Sequence, residues 1–292
     1  MQRFYTGRLN GQCSGRPRKP IGEVEQGETF VIEASLDTEL SPDRDVEKEG
    51  PVFVSGVKAG DVLAIHIADI VLSKWWGADP DYGMIPEILE LQRVKDVGFE
   101  VPREGDELIL PGDVRAPYCP MIGSISVAAR EACPNPWDQG GNMDINEVRK
   151  GATVYIRAQH EGGLLALGDL HAYQGDGEIS GTAIEANGEV KLTVEVSDRL
   201  PAPRPVIEVD NKVMTVGMGL TYWGAVRSAV RDMTYLLMSV RGISLAEAYS
   251  TAVKGGSLRN GAIWMMSDHH LITMVSDEGR WPRTVFLELP FG

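Results

Sequence analysis

The chain has 292 residues, 43% of them hydrophobic, and a formal net charge of −14 from 42 acidic and 28 basic side chains. That length gives one large domain or two ordinary ones with a sizeable core, and the acidic surface argues against nucleic acid and anionic membrane as partners. No apolar run reaches bilayer-spanning length, and the basic start lacks the apolar stretch of a secretory signal, so a cytoplasmic protein is expected.

The amino-terminal half reads as short strands punctuated by turns. Residues 29–35, TFVIEAS, form a strand-like run, and the acid-rich stretch 37–50 reads as a solvated loop. Residues 51–72 give two strand-like runs with Ala59-Gly60-Asp61 as the turn between them. His66 falls in the second run and is expected to be a satisfied core residue. Residues 73–87 look loop-like, and their Trp75-Trp76 pair either lines a pocket or closes the core. Three scattered cysteines, Cys13, Cys119 and Cys133, are too few for a disulfide framework or a zinc knuckle and read as reduced thiols.

Residues 117–144 contain one strand and then a proline- and glycine-rich loop. Its end, GGNMD, brings Asn142 and Asp144 beside the next strand. From 152 to 198, runs of strand propensity alternate with Gly162-Gly163, Asp176-Gly177 and Asn187-Gly188, which predicts a four-stranded antiparallel meander. The last third is different. Ala225, Val226, Ala229, Val230, Met233, Leu236 and Leu237 recur at helical spacing, and Ser244-Leu245-Ala246-Glu247 is a capping box that opens a second helix ending near Gly255-Gly256. The glycines of residues 217–224 lack dinucleotide-binding spacing.

The chemistry concentrates in GDLHAYQGDGEISGTAIE, residues 168–185. Alternate residues of a strand share a face, so Asp169, His171 and Tyr173 point together. A two-residue loop at Asp176-Gly177 would place Glu178, Ser180 and Thr182 on that same face. A shift of register would instead favour Asp176 or Glu185 as the acid–base group. The hairpin contains no lysine or arginine. Carboxylates crowded without a counter-charge are costly to bury, and a divalent cation removes that cost. Asp169-x-His171 offers the mixed oxygen and nitrogen donors that Zn²⁺ accepts; an all-oxygen Ca²⁺ site makes less use of the imidazole and stands as the alternative.

These residues resemble the acetamidase/formamidase family, with its GD-x-HA…QGDGE…G…E core. The resemblance extends to EGPVFVSGVKAGDVLAIHI, to GGNMD and to RDMTYLLMSVRGISLAEAYS, and covers most of the chain from about 50 to 255 in the family's order. Two segments depart from the pattern. SLRNGAIW has Ser257 where an acidic residue is usual, and PNPWDQ before GGNMD is shorter than usual. The resemblance implies a mainly β fold of antiparallel, sandwich- or barrel-like sheets with an α+β carboxy-terminal portion. It implies one catalytic unit over 1–292, divisible into a β-rich 1–150 and a 151–292 part with the meander and helical pair. It also implies metal-assisted hydrolysis of the C–N bond of a small linear amide of the formamide or acetamide type, in a homo-oligomer with a dimer favoured. Asp144, Asp169 and His171 then stand as metal ligands, with Zn²⁺ expected and Ca²⁺ as alternative or second ion. Glu178 is the proton shuttle with Asp176 as a further catalytic candidate, Asn142 serves the oxyanion, and Trp75, Trp76 and Trp137 line the pocket. A cyclic or larger amide is the alternative substrate, and a non-catalytic, metal-stabilised β-rich binding protein is the alternative of another class.

Overall fold

The computed structural model describes residues 1–5, 19–35, 50–79, 97–127, 137–179, 181–201, 203–263 and 283–291. The acidic stretch 37–49, residues 80–87, and Cys13 and Cys133 lie outside them. The first part of the chain gives β1 (Arg3–Tyr5), β2 (Gly22–Val24), β3 (Thr29–Ala34), β4 (Val52–Val54) and β5 (Val62–Asp79). Then follow β6 (Val97–Phe99), β7 (Arg103–Glu104), β8 (Glu107–Leu110), β9 (Val114–Pro117), β10 (Met121–Val127) and β11 (Gly140–Asn142). The middle holds β12 (Thr153–Arg157), β13 (Leu165–Tyr173), β14 (Ile184–Val196), β15 (Val206–Val209) and β16 (Lys212–Gly219). Two helices, α1 (Tyr222–Arg241) and α2 (Leu245–Gly255), precede β17 (Ser257–Asn260) and β18 (Arg283–Pro290).

The fold is mainly β with two helices near the carboxyl terminus, as expected. A 15-stranded, sandwich-like sheet has the central path β11-β10-β13-β14-β5-β12-β15-β16-β18-β17 with β1, β2, β3, β4 and β6 paired off it, and β7-β8-β9 form a separate small sheet. β10 is buried along its whole length and β13 along all but its last residue. Both therefore read as largely apolar runs, with Ser124, Ser126, Asp169 and His171 as their buried polar residues. The main core gathers Phe30, Ile32, Leu63, Ile65, Ile122, Ile125, Leu167, Leu170 and Val190. Burial of such side chains stabilises by about 1.5–3 kcal/mol each.

The helical pair follows the sequence closely. Thr221 Oγ1 caps α1 by accepting from Gly224 N–H, and Gly242, at φ 64°, ends it. Ala225, Ala229, Met233, Leu236 and Leu237 face a second core with Val213, Val285 and Leu287. The capping box of α2 is present, with Ser244 and Glu247 bonded in both directions. No described helix is long and apolar enough to cross a membrane.

The predicted meander is replaced by a more interleaved arrangement. β12 pairs with β5 and β15, not with β13, while β13 lies between β10 and β14. Asn187-Gly188 is no turn but sits inside β14 at a register shift against β5. A Cβ on Gly188 would lie 2.4 Å from Val71 O, so the glycine serves a close approach of two strands. The loop predicted at 73–87 is strand up to Asp79. His66 is exposed rather than in the core and bonds Thr153 Oγ1 at 3.2 Å.

Candidate active site

Five acidic or imidazole side chains converge in the main sheet: Asp144, Asp169, His171, Glu178 and Glu185, all buried. β13 supplies Asp169 and His171, the first residues of β14 supply Glu185, Asp144 follows β11, and Glu178 comes from the β13–β14 connection. The predicted two-residue hairpin loop is not present. His171 pairs with Glu185 and Tyr173 with Ile184, so the connection runs from Gln174 to Ala183. Glu178 nevertheless reaches the cluster, through backbone geometry rather than through strand register. Asp144, Asp169 and Glu178 have φ of 48°, 57° and 43°. Left-handed backbone is sparsely populated by residues other than glycine, and each such residue costs of order 1–3 kcal/mol unless its surroundings enforce it. Here all three such residues carry carboxylates of the cluster around His171.

His171 Nε2 is 3.5 Å from Asp169 Oδ1, 3.6 Å from Glu185 Oε2 and 3.9 Å from Glu178 Oε1. The ligand atoms of Asp144, His171 and Glu178 lie within 4.8 Å of one another, and so do those of Asp169, His171 and Glu185. Gln174 holds the imidazole from behind. Its Nε2 donates to Asp144 O at 2.7 Å, which orients the amide, so its Oε1 accepts from His171 Nδ1 at 2.8 Å. This leaves Nε2 of the ring facing the carboxylates, the arrangement by which an outer partner orients a ligating histidine. Ser124 Oγ donates to Asn142 Oδ1, and Asn142 Nδ2 donates to Asp144 Oδ2 at 3.0 Å. Asn142 thus holds Asp144, a contact that competes with the expected oxyanion role.

Burial and mutual repulsion shift the ionisable groups of the cluster. Burial, reinforced by Asp169, raises the Asp144 carboxyl well above the usual range; burial and Asp144 do the same to Glu178, and burial raises Glu185. Burial opposes a charged His171, yet Glu185, Asp169 and Glu178 outweigh it and hold the proton on up to about 10. Asp144 Oδ1, His171 Nε2 and Glu185 Oε2 are buried with no hydrogen-bond partner among the described residues. Buried polar atoms are rarely left so. These orphaned atoms belong to two overlapping groups that share His171, Asp144/His171/Glu178 and Asp169/His171/Glu185, and the mixed imidazole and carboxylate character of each fits a divalent cation.

The remaining candidates lie elsewhere. Asp176 is held by Arg259 at 2.7 and 2.9 Å and takes no part in the cluster. Trp76 pairs with Glu185 across β14 and β5, so both project from the same face of the sheet. Trp75 donates from Nε1 to Val101 O at 2.9 Å and packs against Tyr118, which closes the small sheet onto β5. Trp137 is 40% exposed, beside β11. Ser180 lies outside the described residues. Sequence reasoning missed Gln174, and it held Glu185 only in reserve. Gln174 stands three residues after His171 and directly before Gly175-Asp176-Gly177-Glu178, and that placement was the available signal.

Residues 110–249 match the family model described as Acetamidase/Formamidase family. A formamidase of Methylophilus methylotrophus is 37% identical over 203 residues, covering 50% of each chain. The crystal structure of an acetamidase from Bacillus halodurans superposes with a TM-score of 0.77 at 27% identity, over 98% of this chain and 96% of that one. The chain is similar to the acetamidase/formamidase family over residues 110–249, and to an acetamidase in its fold. An acetamidase of Mycolicibacterium smegmatis is 40% identical over 62 residues, 21% of this chain and 15% of that protein. The chain spans about half the length of the formamidase it matches. The family match over 110–249 contains all five clustered residues.

Proposed function

We propose that this chain is a member of the acetamidase/formamidase family and a metal-dependent amidohydrolase that splits the C–N bond of a small linear amide, of the formamide or acetamide type, into a carboxylate and ammonia. The observation that carries the reading is the set of three orphaned atoms, Asp144 Oδ1, His171 Nε2 and Glu185 Oε2, inside a family whose relatives include a formamidase and an acetamidase. Asp144, Asp169 and His171, joined by Glu185, would hold the ion. The imidazole favours Zn²⁺, with Ca²⁺ as the alternative. A bound divalent ion supplies Lewis acidity, which activates water and polarises a carbonyl.

The chain's own residues do the rest. Gln174 keeps the His171 Nδ1 proton away from the reacting side, and Asn142 fixes the Asp144 carboxylate. Glu178 is buried and its proton affinity is raised, which suits a group that takes a proton from water and returns it to the amide nitrogen. That nitrogen is a poor leaving group until protonated. Trp76, on the face of Glu185, limits the room for the acyl group. The exposed apolar side chains of the helical pair, Trp223, Tyr235, Leu245 and Tyr249, support assembly into a homo-oligomer.

The test is ammonia release from formamide and acetamide by protein reconstituted with zinc. Release that stops on chelation and returns with metal is the expected result. No release from either amide, with zinc bound at stoichiometry, would overturn the small-amide reading.

A further inference from the structure

We infer that Arg259 is a positioning residue of the active site: from the carboxy-terminal unit it clamps both segments that carry Asp144 and Glu178. Its guanidinium takes the Asp176 carboxylate through two bonds, Nε to Oδ2 at 2.9 Å and Nη2 to Oδ1 at 2.7 Å. Through Nη1 it reaches Glu147 Oε1 at 2.7 Å. Asp176 lies two residues before Glu178, and Glu147 three residues after Asp144. Asn146 Nδ2 completes the bridge by donating to Asp176 Oδ1 at 3.1 Å. A planar fork with several donors can hold two carboxylates at a fixed separation, which a lysine cannot do.

The main chain beyond Arg259 repeats the same two attachments. Ala262 N–H donates to Met143 O at 2.9 Å, and Ile263 N–H to Gly177 O at 3.1 Å. Residues 259–263 therefore grip the neighbours of Asp144 and the neighbours of Glu178 together. Glu178 needs such a grip. It sits in an irregular connection with left-handed backbone, without a strand ladder to fix it. Arg259 itself is set by β17, where it pairs with Phe286 of β18 and lies over that ring at 5.4 Å. It is one-third exposed, and its ion-pair partners Asp176, Glu147 and, at 3.9 Å, Glu288 lie outside the five clustered residues, so it acts on the site through Asp176 and Glu147.

The inference rests on the amidase reading, and its test separates the two. Arg259→Gln and Asp176→Asn are each compared with the wild type and with the double variant, by ammonia release and by zinc titration. Each single change is expected to lower kcat and weaken zinc binding by roughly 10–100-fold, with KM and the circular dichroism spectrum little changed. The double variant should be no worse than the more damaged single, because the two residues act as one unit. Guanidinium added to Arg259→Ala should restore part of the lost rate. Wild-type protein without ammonia release would count against the amidase reading alone, since zinc affinity still reads the clamp. Wild-type zinc affinity in both single variants, or losses that multiply in the double variant, would overturn the clamp.

Discussion

Gln174 fixes two things at once, the ring of His171 and the carbonyl of Asp144, and no other described residue reaches both. Gln174→Ala would leave a buried N–H and a buried C=O without partners, at about 1–3 kcal/mol each. A zinc affinity lowered roughly 10–100-fold is expected from the loosened ring, read by titration against a competing chelator. Gly123 has the opposite duty, to be absent. A Cβ there would lie 2.7 Å from Asp169 Oδ2 and 2.8 Å from Asp144 Oδ1. Gly123→Ala should therefore remove zinc binding while leaving the circular dichroism spectrum intact, since the rest of β10 packs as before. Glu178→Gln tests the proton shuttle. It keeps the shape of the side chain but carries no transferable proton, so kcat should fall about 10²–10⁴-fold while ammonia-independent zinc titration still gives one bound ion.

Elements with local causes were legible and elements with distant partners were not. α2 is the clearest success, because its start is written in four adjacent residues and its capping box closes within them. Ser244→Ala should cost about 1 kcal/mol, between 0.5 and 2, seen as a lowered melting temperature with activity unchanged, since α2 lies on the second core away from the site. β14 is the instructive failure. Asn187-Gly188 carries the strongest short-range turn signal, yet the strand runs through it because Gly188 lets β5 approach closely. Which backbone will press on a glycine is a fact about a segment over a hundred residues away, and composition does not hold it. The same gap left Glu185 as an alternative acid–base group only. Asp169, His171 and Glu178 were readable from one run of residues, but the partner of His171 depended on a long irregular connection that a two-residue turn had been expected to replace.

At the scale of the molecule, the site and the sheet depend on each other. β10, β13, β14 and β5 are consecutive in the sheet, and the carboxylates they and their connections carry face inward near its middle. In the folded chain burial and mutual repulsion favour the protonated forms of Asp144 and Glu178, a cost that a bound cation would relieve, whereas an unfolded chain offers no assembled site. Ion binding is then largely folding free energy. At an ion concentration about 1,000 times Kd the gain is about 4 kcal/mol, and with roughly 2–4 °C for each kcal/mol chelation should lower the melting temperature by on the order of 10 °C. Asp169→Asn is the matched control. Asparagine tolerates the left-handed backbone that residue 169 adopts at φ 57°, so the change removes a ligand charge without straining the strand. The variant's melting temperature should be nearly the same with zinc and with chelator. If Asp169→Asn kept a full complement of zinc and the whole chelation shift, Asp169 would not be a ligand.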